Sequence, residues 1–310
     1  MTSKRAILIA GPTASGKSSI ALDVARALGG VIINADSMQV YKDLDIITAR
    51  PGPAEREAAP HALYGILDGA DHFSVAAWLI LAKAEAGKAW ESGRIPIFTG
   101  GTGLYFKALT QGLVDLPEIS EGVRGQLRRR LENEGIKALY RDLEAKDPET
   151  AGRLKPADKQ RIIRALEVFE ATGKSLSRWL RKTTEDPFKG VEFVKICLLA
   201  GPEVLNRRIR ARFHNMIEKG ALREAANFAA KGIDRSRPVM KALGLRPLLR
   251  HLKGEISIDE AARLAVIETR QYAKRQRTWF RGQFSDWRFV EADGDAAGKI
   301  LSLAEEAFRD

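Results

Sequence analysis

One stretch near the start of the chain has the residue types and the spacing of a phosphate-binding loop. It matches G-x-x-x-x-G-K-[ST] and consists of Gly11, Pro12, Thr13, Ala14, Ser15, Gly16, Lys17 and Ser18. Glycines allow the backbone to curl so that successive N–H groups point at phosphate oxygens, and the N-terminus of the following helix adds partial positive charge. We therefore expect Lys17 to reach the terminal phosphates of a ligand and Ser18 to bind Mg²⁺. A glycine-rich turn without a ligand is the alternative.

Two further polar residues follow apolar runs that have the character of strands. Asp36 comes just after the run at residues 31–34, and Thr102 comes just after the run at 95–98. Ligands of open α/β sheets bind beyond the carboxyl ends of the strands, so both residues should face the crevice that holds the phosphate loop. Asp36 is a candidate general base, magnesium ligand or turn residue. Thr102 is expected to hydrogen-bond a phosphate, to cap the following helix, or to do both.

The elements that must position these residues alternate between strands and helices. Apolar runs predict buried strands at residues 6–10, 31–34, 95–98 and 191–199. Helical spacing predicts helices at residues 18–28 and 74–92 and, after the last strand, at about 203–230 and 259–281. This alternation indicates an α/β fold, a P-loop NTPase-like core in which helices cover both faces of a parallel sheet.

The chain changes character near residue 116. From Glu121 to about Arg181 the pattern is helical and highly charged, with breaks at Gly135, Pro148, Pro156 and Gly173. We therefore expect a discontinuous core domain, formed by residues 1–115 and 190–310 with its C-terminal helices. Residues 116–189 are expected to form a helical insertion domain.

The net charge of +11 suggests an anionic partner. Residues 1–115 are neutral, residues 116–189 carry +4 and residues 190–310 carry +7. If the partner is a polyanion, the later segments should supply most of the contacts. Four cations recur at helical spacing near the end, with aromatic residues among them, at Arg270, Lys274, Arg277 and Arg281. They are interpreted either as phosphate contacts or as a solvated helix face.

Several functional classes are excluded by what the sequence lacks. Cys197 is the single cysteine, so an internal disulfide framework and a Cys-rich zinc site are excluded. No apolar run approaches the ~20 residues of a membrane-spanning helix. Guanine-recognition and motor-ATPase signatures are absent as well, which leaves small kinases and unusual phosphate-loop transferases. We expect a cytoplasmic protein that acts as a monomer and does not bind membranes.

Longer stretches then occur in a characteristic order between about residues 7 and 281. After the loop at 11–18 they are NADSMQVY (34–41), DLDI (43–46), PHAL (60–63), GGTGLY (100–105), DKQRIIRALE (158–167), RFHNM (212–216) and KRQRTW (274–279). Together they closely resemble the tRNA dimethylallyltransferases, or tRNA isopentenyltransferases, of the bacterial type.

The resemblance implies an enzyme, a transferase that moves a dimethylallyl group from dimethylallyl diphosphate to N6 of the adenosine 3′ to the anticodon and releases diphosphate. It implies Mg²⁺ as cofactor, a diphosphate held by residues 11–18, and the tRNA anticodon loop as partner. The catalytic residues it implies are Asp36 as the base, Lys17, Thr102 and Arg212, which steadies the diphosphate. The tRNA-binding residues it implies are Asp36, Ser37, Met38, Gln39, Thr102, Arg124, Gln160, Arg161, Ile162, Ile163, Arg164, Lys241 and Arg246.

The chain departs from the family pattern at two places. Ile47 stands where the family often has the glycine of Gly-Thr-Ala-Lys-Pro. The family segment Ile-Gly-Tyr-Lys/Arg is here Leu243-Gly-Leu-Arg246, which removes an aromatic ring that could stack on a base.

Two other functions remain as alternatives. A small-metabolite kinase would use ATP in the loop and Asp36 as base on a hydroxyl, but it leaves the positive charge and the ordered stretches unexplained. An RNA-binding protein with a regulatory nucleotide site leaves Asp36 without a role.

Overall fold

Six parallel strands form one sheet in the part of the chain that the computed structural model describes, residues 4–181 and 184–309. They are β1 (Lys4–Ala10), β2 (Val31–Asn34), β3 (His61–Ala62), β4 (Pro96–Gly100), β5 (Val191–Leu199) and β6 (Arg288–Glu291). Their spatial order is β3-β2-β4-β1-β5-β6. The α/β fold expected from the sequence is confirmed.

Helices connect the strands, and one more helix follows the last strand. They are α1 (Lys17–Leu28), α2 (Pro53–Ala58), α3 (Val75–Glu91), α4 (Gly103–Gln111), α5 (Glu121–Lys146), α6 (Pro148–Arg153), α7 (Lys159–Thr172), α8 (Leu176–Leu180), α9 (Pro202–Glu218), α10 (Ala221–Ala230), α11 (Leu245–Leu252), α12 (Ile258–Gln283) and α13 (Ala296–Ala307). A short 3-10 helix covers Pro238–Lys241. In the described ranges, none of the helices combines the length and the apolar composition that a bilayer crossing requires.

The central strand β1 is buried on both faces of the sheet. Because side chains alternate along a strand, Ile7 and Ile9 pack toward α1, α9 and α13, whereas Leu8 packs toward α3 and α4. Such double burial explains why this strand is a continuous apolar run in the sequence. It also fixes the carboxyl end of β1, where the phosphate loop begins, between the ends of β4 and β5.

The chain divides into two compact units, which we describe separately. The first contains residues 1–110 and 187–310, and the second contains residues 111–186. The second unit holds α5–α8 around an apolar core that includes Leu127, Leu143 and Leu166. Buried Asp147 accepts bonds from the backbone and hydroxyl groups of Thr150 and Ser177, which tie α6 and α8 together. Burial acts to raise the pKa of Asp147, but these hydrogen bonds hold it below the usual value.

Two local features differ from the sequence prediction. The helix expected over about 203–230 is broken into α9 and α10, because Gly220 takes a left-handed conformation with φ of 99°. Leu245 is fully buried against α10 and α12, so this position belongs to the core. In this chain the departure from the family's aromatic residue therefore contributes to packing.

A close approach of two backbones at the end of β4 gives a test of the fold. A Cβ atom on Gly100 would lie 2.1 Å from the carbonyl carbon and oxygen of Ala35. We expect Gly100→Ala to lower the free energy of unfolding by about 1–3 kcal/mol or more, because backbone cannot yield as a side chain can. The control is Gly87→Ala within α3, where a Cβ meets nothing within 4 Å; it should raise stability by up to about 1 kcal/mol. Urea unfolding of both variants measures the difference, and a neutral Gly100→Ala would contradict this packing.

Candidate active site

The phosphate loop joins β1 to α1 and is shaped by backbone conformations that few residues adopt. Gly16 has φ of 94° and Ala14 has φ of 63°. A side chain on Gly11 would approach the Ser15 hydroxyl to 2.9 Å. Lys17 begins α1, and its Nζ donates to the carbonyl oxygen of Pro12 at 3.3 Å. The Lys17 side chain is thus folded back over the phosphate loop.

Asp36 is held at the end of β2 by a buried asparagine. The backbone N–H of Asp36 donates to Oδ1 of Asn34 at 2.8 Å, and the Asn34 amide donates to the carbonyl oxygens of Asp36 and Leu63 at 3.0 Å. One carboxylate oxygen, Oδ1, accepts the N–H of Met38 at 2.9 Å and closes a turn. Oδ2 lies 3.6 Å from the point that a Cβ on Gly101 would occupy. The turn therefore uses Oδ1, whereas Oδ2 faces Gly101, just after the end of β4.

Thr102 connects that strand end to the Asp36 segment. Its hydroxyl accepts the N–H of Ser37 at 2.9 Å and donates to the Ser37 hydroxyl at 3.3 Å. Its own N–H donates to the carbonyl oxygen of Ala35 at 3.2 Å. The Thr102 hydroxyl, which the sequence analysis expected on a phosphate, thus holds the Asp36 segment.

Two cations stand at this edge of the sheet with Asp36. Arg212 of α9 donates to the Thr13 hydroxyl at 3.4 Å and to the Thr48 carbonyl oxygen at 3.2 Å. Burial lowers the pKa of Arg212, and the charge of Asp36 opposes this effect. Burial also lowers the pKa of Lys17 to about 8, with Asp36 opposing and Arg212 reinforcing the shift. Cations that have lost hydration in this way favour a ligand that brings several negative charges.

Two residues that the sequence analysis did not assign also shape the loop. Gln276 of α12 accepts the N–H of Thr13 on Oε1 at 2.8 Å and donates from Nε2 to the Gly101 carbonyl oxygen at 2.7 Å. Arg208 of α9 donates to the Ser15 carbonyl oxygen at 2.8 Å. Gln276 lies in the stretch KRQRTW, which carried the resemblance, but nothing in the sequence pointed it at the loop.

A third unassigned residue, Glu224 of α10, anchors the loop that follows β2. Its carboxylate accepts the backbone N–H groups of Asp45, Ile46 and Ile47 at 2.6–2.8 Å. The next carbonyl oxygen, that of Thr48, accepts from Arg212. Ile47 itself is 5% exposed in the apolar cluster beside α10, so the departure from glycine is used for packing.

The tRNA-binding residues predicted after β2 have different surroundings. Gln39 donates from its amide to the carbonyl oxygens of Thr48 and Ala49 at 3.0 and 2.8 Å, so it braces the same loop. Met38 is partly buried against the cluster beside α10. Lys241 and Arg246 are exposed on the first unit, one on each side of the buried Leu245 segment.

The predicted tRNA-binding residues of the second unit lie on α5 and α7. Arg124 is exposed and lies 3.9 Å from Glu121. On α7, Gln160 and Arg161 are exposed, and Ile163 and Arg164 are partly exposed. Ile162 is fully buried in the core of the unit, so its predicted RNA contact is wrong and its role is packing.

The fold and the site together define a phosphate-loop protein with a carboxylate and two desolvated cations at one sheet edge. A model of the family described as "IPP transferase" matches residues 39–283, and one described as "Isopentenyl transferase" matches residues 4–62. A tRNA dimethylallyltransferase from Rhodopseudomonas palustris (strain BisB18) is 51% identical over 289 residues, which covers 93% of this chain and 92% of the relative.

Solved structures agree with these matches. The tRNA isopentenylpyrophosphate transferase of Bacillus halodurans is 33% identical, with a TM-score of 0.69 and 98% coverage of both chains. A eukaryotic dimethylallyltransferase acting on tRNA is 27% identical, with a TM-score of 0.80, 98% coverage of this chain and 79% of that one. The chain belongs to the tRNA dimethylallyltransferase family, as its sequence motifs predicted.

The Glu224 anchor leads to a test of how Arg212 is positioned. We expect Glu224→Ala to lower the rate of dimethylallyl transfer roughly tenfold to a hundredfold, since misplacing a group at the reacting centre has costs of that order. The matched control is Lys231→Ala, because Lys231 also ties α10 to this loop through Asp43 but does not reach Thr48. Steady-state kinetics and thermal unfolding of both variants are compared. Equal losses of turnover would show that α10 only stabilises the fold.

Proposed function

We propose that the residues gathered at this sheet edge carry out the reaction of a tRNA dimethylallyltransferase. The enzyme transfers a dimethylallyl group to N6 of the adenosine that lies 3′ to the anticodon in tRNA. In the proposal, dimethylallyl diphosphate is the donor and residues 11–18 hold its diphosphate. The convergence of Lys17, Arg212 and Asp36 at the end of β1 and β2 is the observation that carries it.

The leaving diphosphate sets the first requirement of this chemistry. When the bond between the allylic carbon and the diphosphate oxygen breaks, negative charge accumulates on the diphosphate. Lys17 and Arg212, which are already desolvated, would stabilise that charge together with N–H groups of the loop.

Magnesium fits the donor set at the loop. The hydroxyl of Ser18 is a hard oxygen donor at the start of α1, and no cluster of three His, Cys, Asp or Glu side chains occurs among the described residues. Mg²⁺ often binds through few protein oxygens together with substrate phosphates and water. In the proposal, Ser18 and the diphosphate would hold the ion, which would neutralise phosphate charge.

The adenine amine sets the second requirement. Its nitrogen forms a bond to the allylic carbon and must lose one proton as that bond forms. Asp36 would accept this proton on Oδ2, while Oδ1 stays in the turn with Met38. Thr102, through its bonds to Ser37, would keep the carboxylate in place.

We assign the tRNA anticodon loop to solvent-accessible residues of both units. Ser37, Lys241 and Arg246 would contact it from the first unit. Arg124, Gln160, Arg161 and Arg164 would contact it from the second unit, which stays a prediction for the helical insertion. The target adenosine must leave its stack to reach Asp36, which costs a few kcal/mol.

The proposed function is tested by the mass of the adenosines in the tRNA product. The protein is incubated with dimethylallyl diphosphate, Mg²⁺ and unmodified tRNA, and the adenosines are then weighed by mass spectrometry. One dimethylallyl group per tRNA is expected, together with released diphosphate. No gain in mass, with ATP hydrolysed or consumed instead, would favour the kinase.

The proposed base role predicts the effect of replacing one carboxylate oxygen of Asp36. Asp36→Asn keeps an oxygen for the N–H of Met38 but removes the basic oxygen, so transfer should slow by about 10²–10⁴-fold. Binding of tRNA, measured by fluorescence anisotropy, should stay within error of the unaltered protein. Near-normal turnover in Asp36→Asn or Asp36→Ala would remove Asp36 from the base role.

The lowered pKa of Lys17 predicts a pH dependence. Below its pKa of about 8 the side chain is charged and attracts diphosphate; above it the charge is lost. Calorimetry should therefore show affinity for Mg²⁺–diphosphate falling above about pH 8, by at most tenfold per pH unit. Lys17→Arg is the control, because arginine stays charged and experiences the same titration of the ligand. Parallel curves for the two proteins would contradict the role of Lys17.

A further inference from the structure

Arg208 of α9 contacts the phosphate loop beside the peptide bond that joins Ser15 to Gly16. Its guanidinium donates from Nη1 to the carbonyl oxygen of Ser15 at 2.8 Å and from Nη2 to the carbonyl oxygen of Ala292 at 3.2 Å. Nη1 also lies 3.6 Å from the point that a Cβ on Gly16 would occupy. Both terminal nitrogens are thus used on backbone oxygens, next to one particular peptide of the loop.

The bond from Arg208 determines which way the next N–H group points. A trans peptide is planar, so its C=O and N–H groups point in opposite directions. Because the Ser15 carbonyl oxygen faces Arg208, the N–H of Gly16 faces away from that side chain. Gly16 is the N-cap of α1, where N–H groups lack helical partners and bind anions. Over residues 4–181 and 184–309, no group accepts the Gly16 N–H, so it is an available donor.

Nothing in the glycine itself keeps this peptide in one orientation. Gly16 has φ of 94°, and glycine accepts φ of either sign at little cost. The N–H of Ser15 donates to the carbonyl oxygen of Pro12 at 3.2 Å, but that bond fixes the preceding peptide. In the described part of the chain, the bond from Arg208 is the one hydrogen bond that the Ser15 carbonyl oxygen accepts. The orientation of the peptide therefore depends on Arg208.

The guanidinium of Arg208 is itself held by the sheet. Ala292 follows β6, and its N–H donates to the carbonyl oxygen of Leu199, the last residue of β5, at 2.8 Å. The Ala292 carbonyl oxygen that accepts from Arg208 is therefore a fixed point beside the loop. Since the donors of a guanidinium lie in one rigid plane, holding one end of it also directs the other. The loop peptide is thus braced against β5, the neighbour of β1.

We propose that Arg208 is a positioning residue that holds the peptide between Ser15 and Gly16 so that the Gly16 N–H donates to the diphosphate of the substrate. Arg208 acts through the loop, whereas Arg212, one turn later on α9, acts on the diphosphate itself. Without Arg208 the peptide can turn over and present its carbonyl oxygen to the phosphate, which replaces an attraction by a repulsion. The inference rests on the proposed function, which supplies the diphosphate.

The effect on affinity is measured by calorimetry with inorganic diphosphate and Mg²⁺. Arg208→Met removes the donors but keeps an apolar stem, and Kd should rise on the order of tenfold to a hundredfold, the cost of one hydrogen bond to a charged group. The KM for dimethylallyl diphosphate should rise in parallel, and the KM for tRNA should not change. The control is Arg210→Met, which removes the same charge from an exposed position of α9 between Arg208 and Arg212. Equal losses of affinity in the two variants overturn the proposal.

The direction of the Gly16 N–H is tested by NMR. The chain contains two Ser-Gly pairs, Ser15-Gly16 and Ser92-Gly93. Cell-free labelling with ¹³C-carbonyl serine and ¹⁵N-glycine therefore gives two selectable amide signals, of which Gly93, just after α3, is an internal control for folding. Diphosphate should shift the Gly16 signal in the unaltered protein and not in Arg208→Met at saturation. A Gly16 shift of the same size in the variant overturns the proposal.

A third variant separates the directed bonds of Arg208 from its charge. Arg208→Lys keeps the charge, but one ammonium group lacks the planar fork that spans the carbonyl oxygens of Ser15 and Ala292. Its affinity for diphosphate should lie between those of Arg208→Met and the unaltered protein. Complete recovery would show that charge alone suffices and would overturn the proposal. Because binding of diphosphate needs no tRNA, a failure of dimethylallyl transfer by the unaltered protein counts against the proposed function alone.

Discussion

The buried amide of Gln276 joins the two backbone segments on which the site depends. It accepts the N–H of Thr13 in the phosphate loop and donates to the carbonyl oxygen of Gly101 after β4. Both loops must leave polar backbone groups at a sheet edge, where unpaired groups are costly. At 7% exposure, Gln276 satisfies one group on each loop and fixes the distance between them. The register of α12 is thereby coupled to the site, because turning the helix would break both bonds.

Burial also determines the electrostatics of the site. Lys17 and Arg212 are held where burial disfavours their charge, and Asp36 is the carboxylate that opposes this on both. A phosphate ligand with several negative charges would balance the positive charge that Asp36 alone leaves unbalanced. The net charge of +11 is a poor guide to this arrangement. Much of the positive charge of the second unit is paired internally, as at Arg130 and Lys146. Lys17 and Arg212 at the site, by contrast, are desolvated and have Asp36 as the opposing charge.

The parts of the molecule that could be predicted are those specified by neighbours in sequence. The phosphate loop, the strands before Asp36 and Thr102, and the long helix at 259–281 follow from local motif and periodicity. The contacts of Gln276 and Glu224 could not be predicted, because 263 residues separate Gln276 from Thr13 and about 180 separate Glu224 from its loop. Ile162 shows the reverse limit. A matching motif places it on the correct helix, but only packing shows that it faces the core.

In the proposed mechanism, Asp36 combines a structural role with a chemical one. An aspartate after a strand often serves only to close a turn, and here Oδ1 does so with the N–H of Met38. That bond, with the Asn34 clasp on its backbone, fixes the side chain so that Oδ2 has a defined direction toward Gly101. A base must be within hydrogen-bond reach of the proton it takes, and a freely rotating carboxylate would meet this condition only part of the time. In the proposed mechanism, the turn therefore holds the second oxygen in the direction that a base requires.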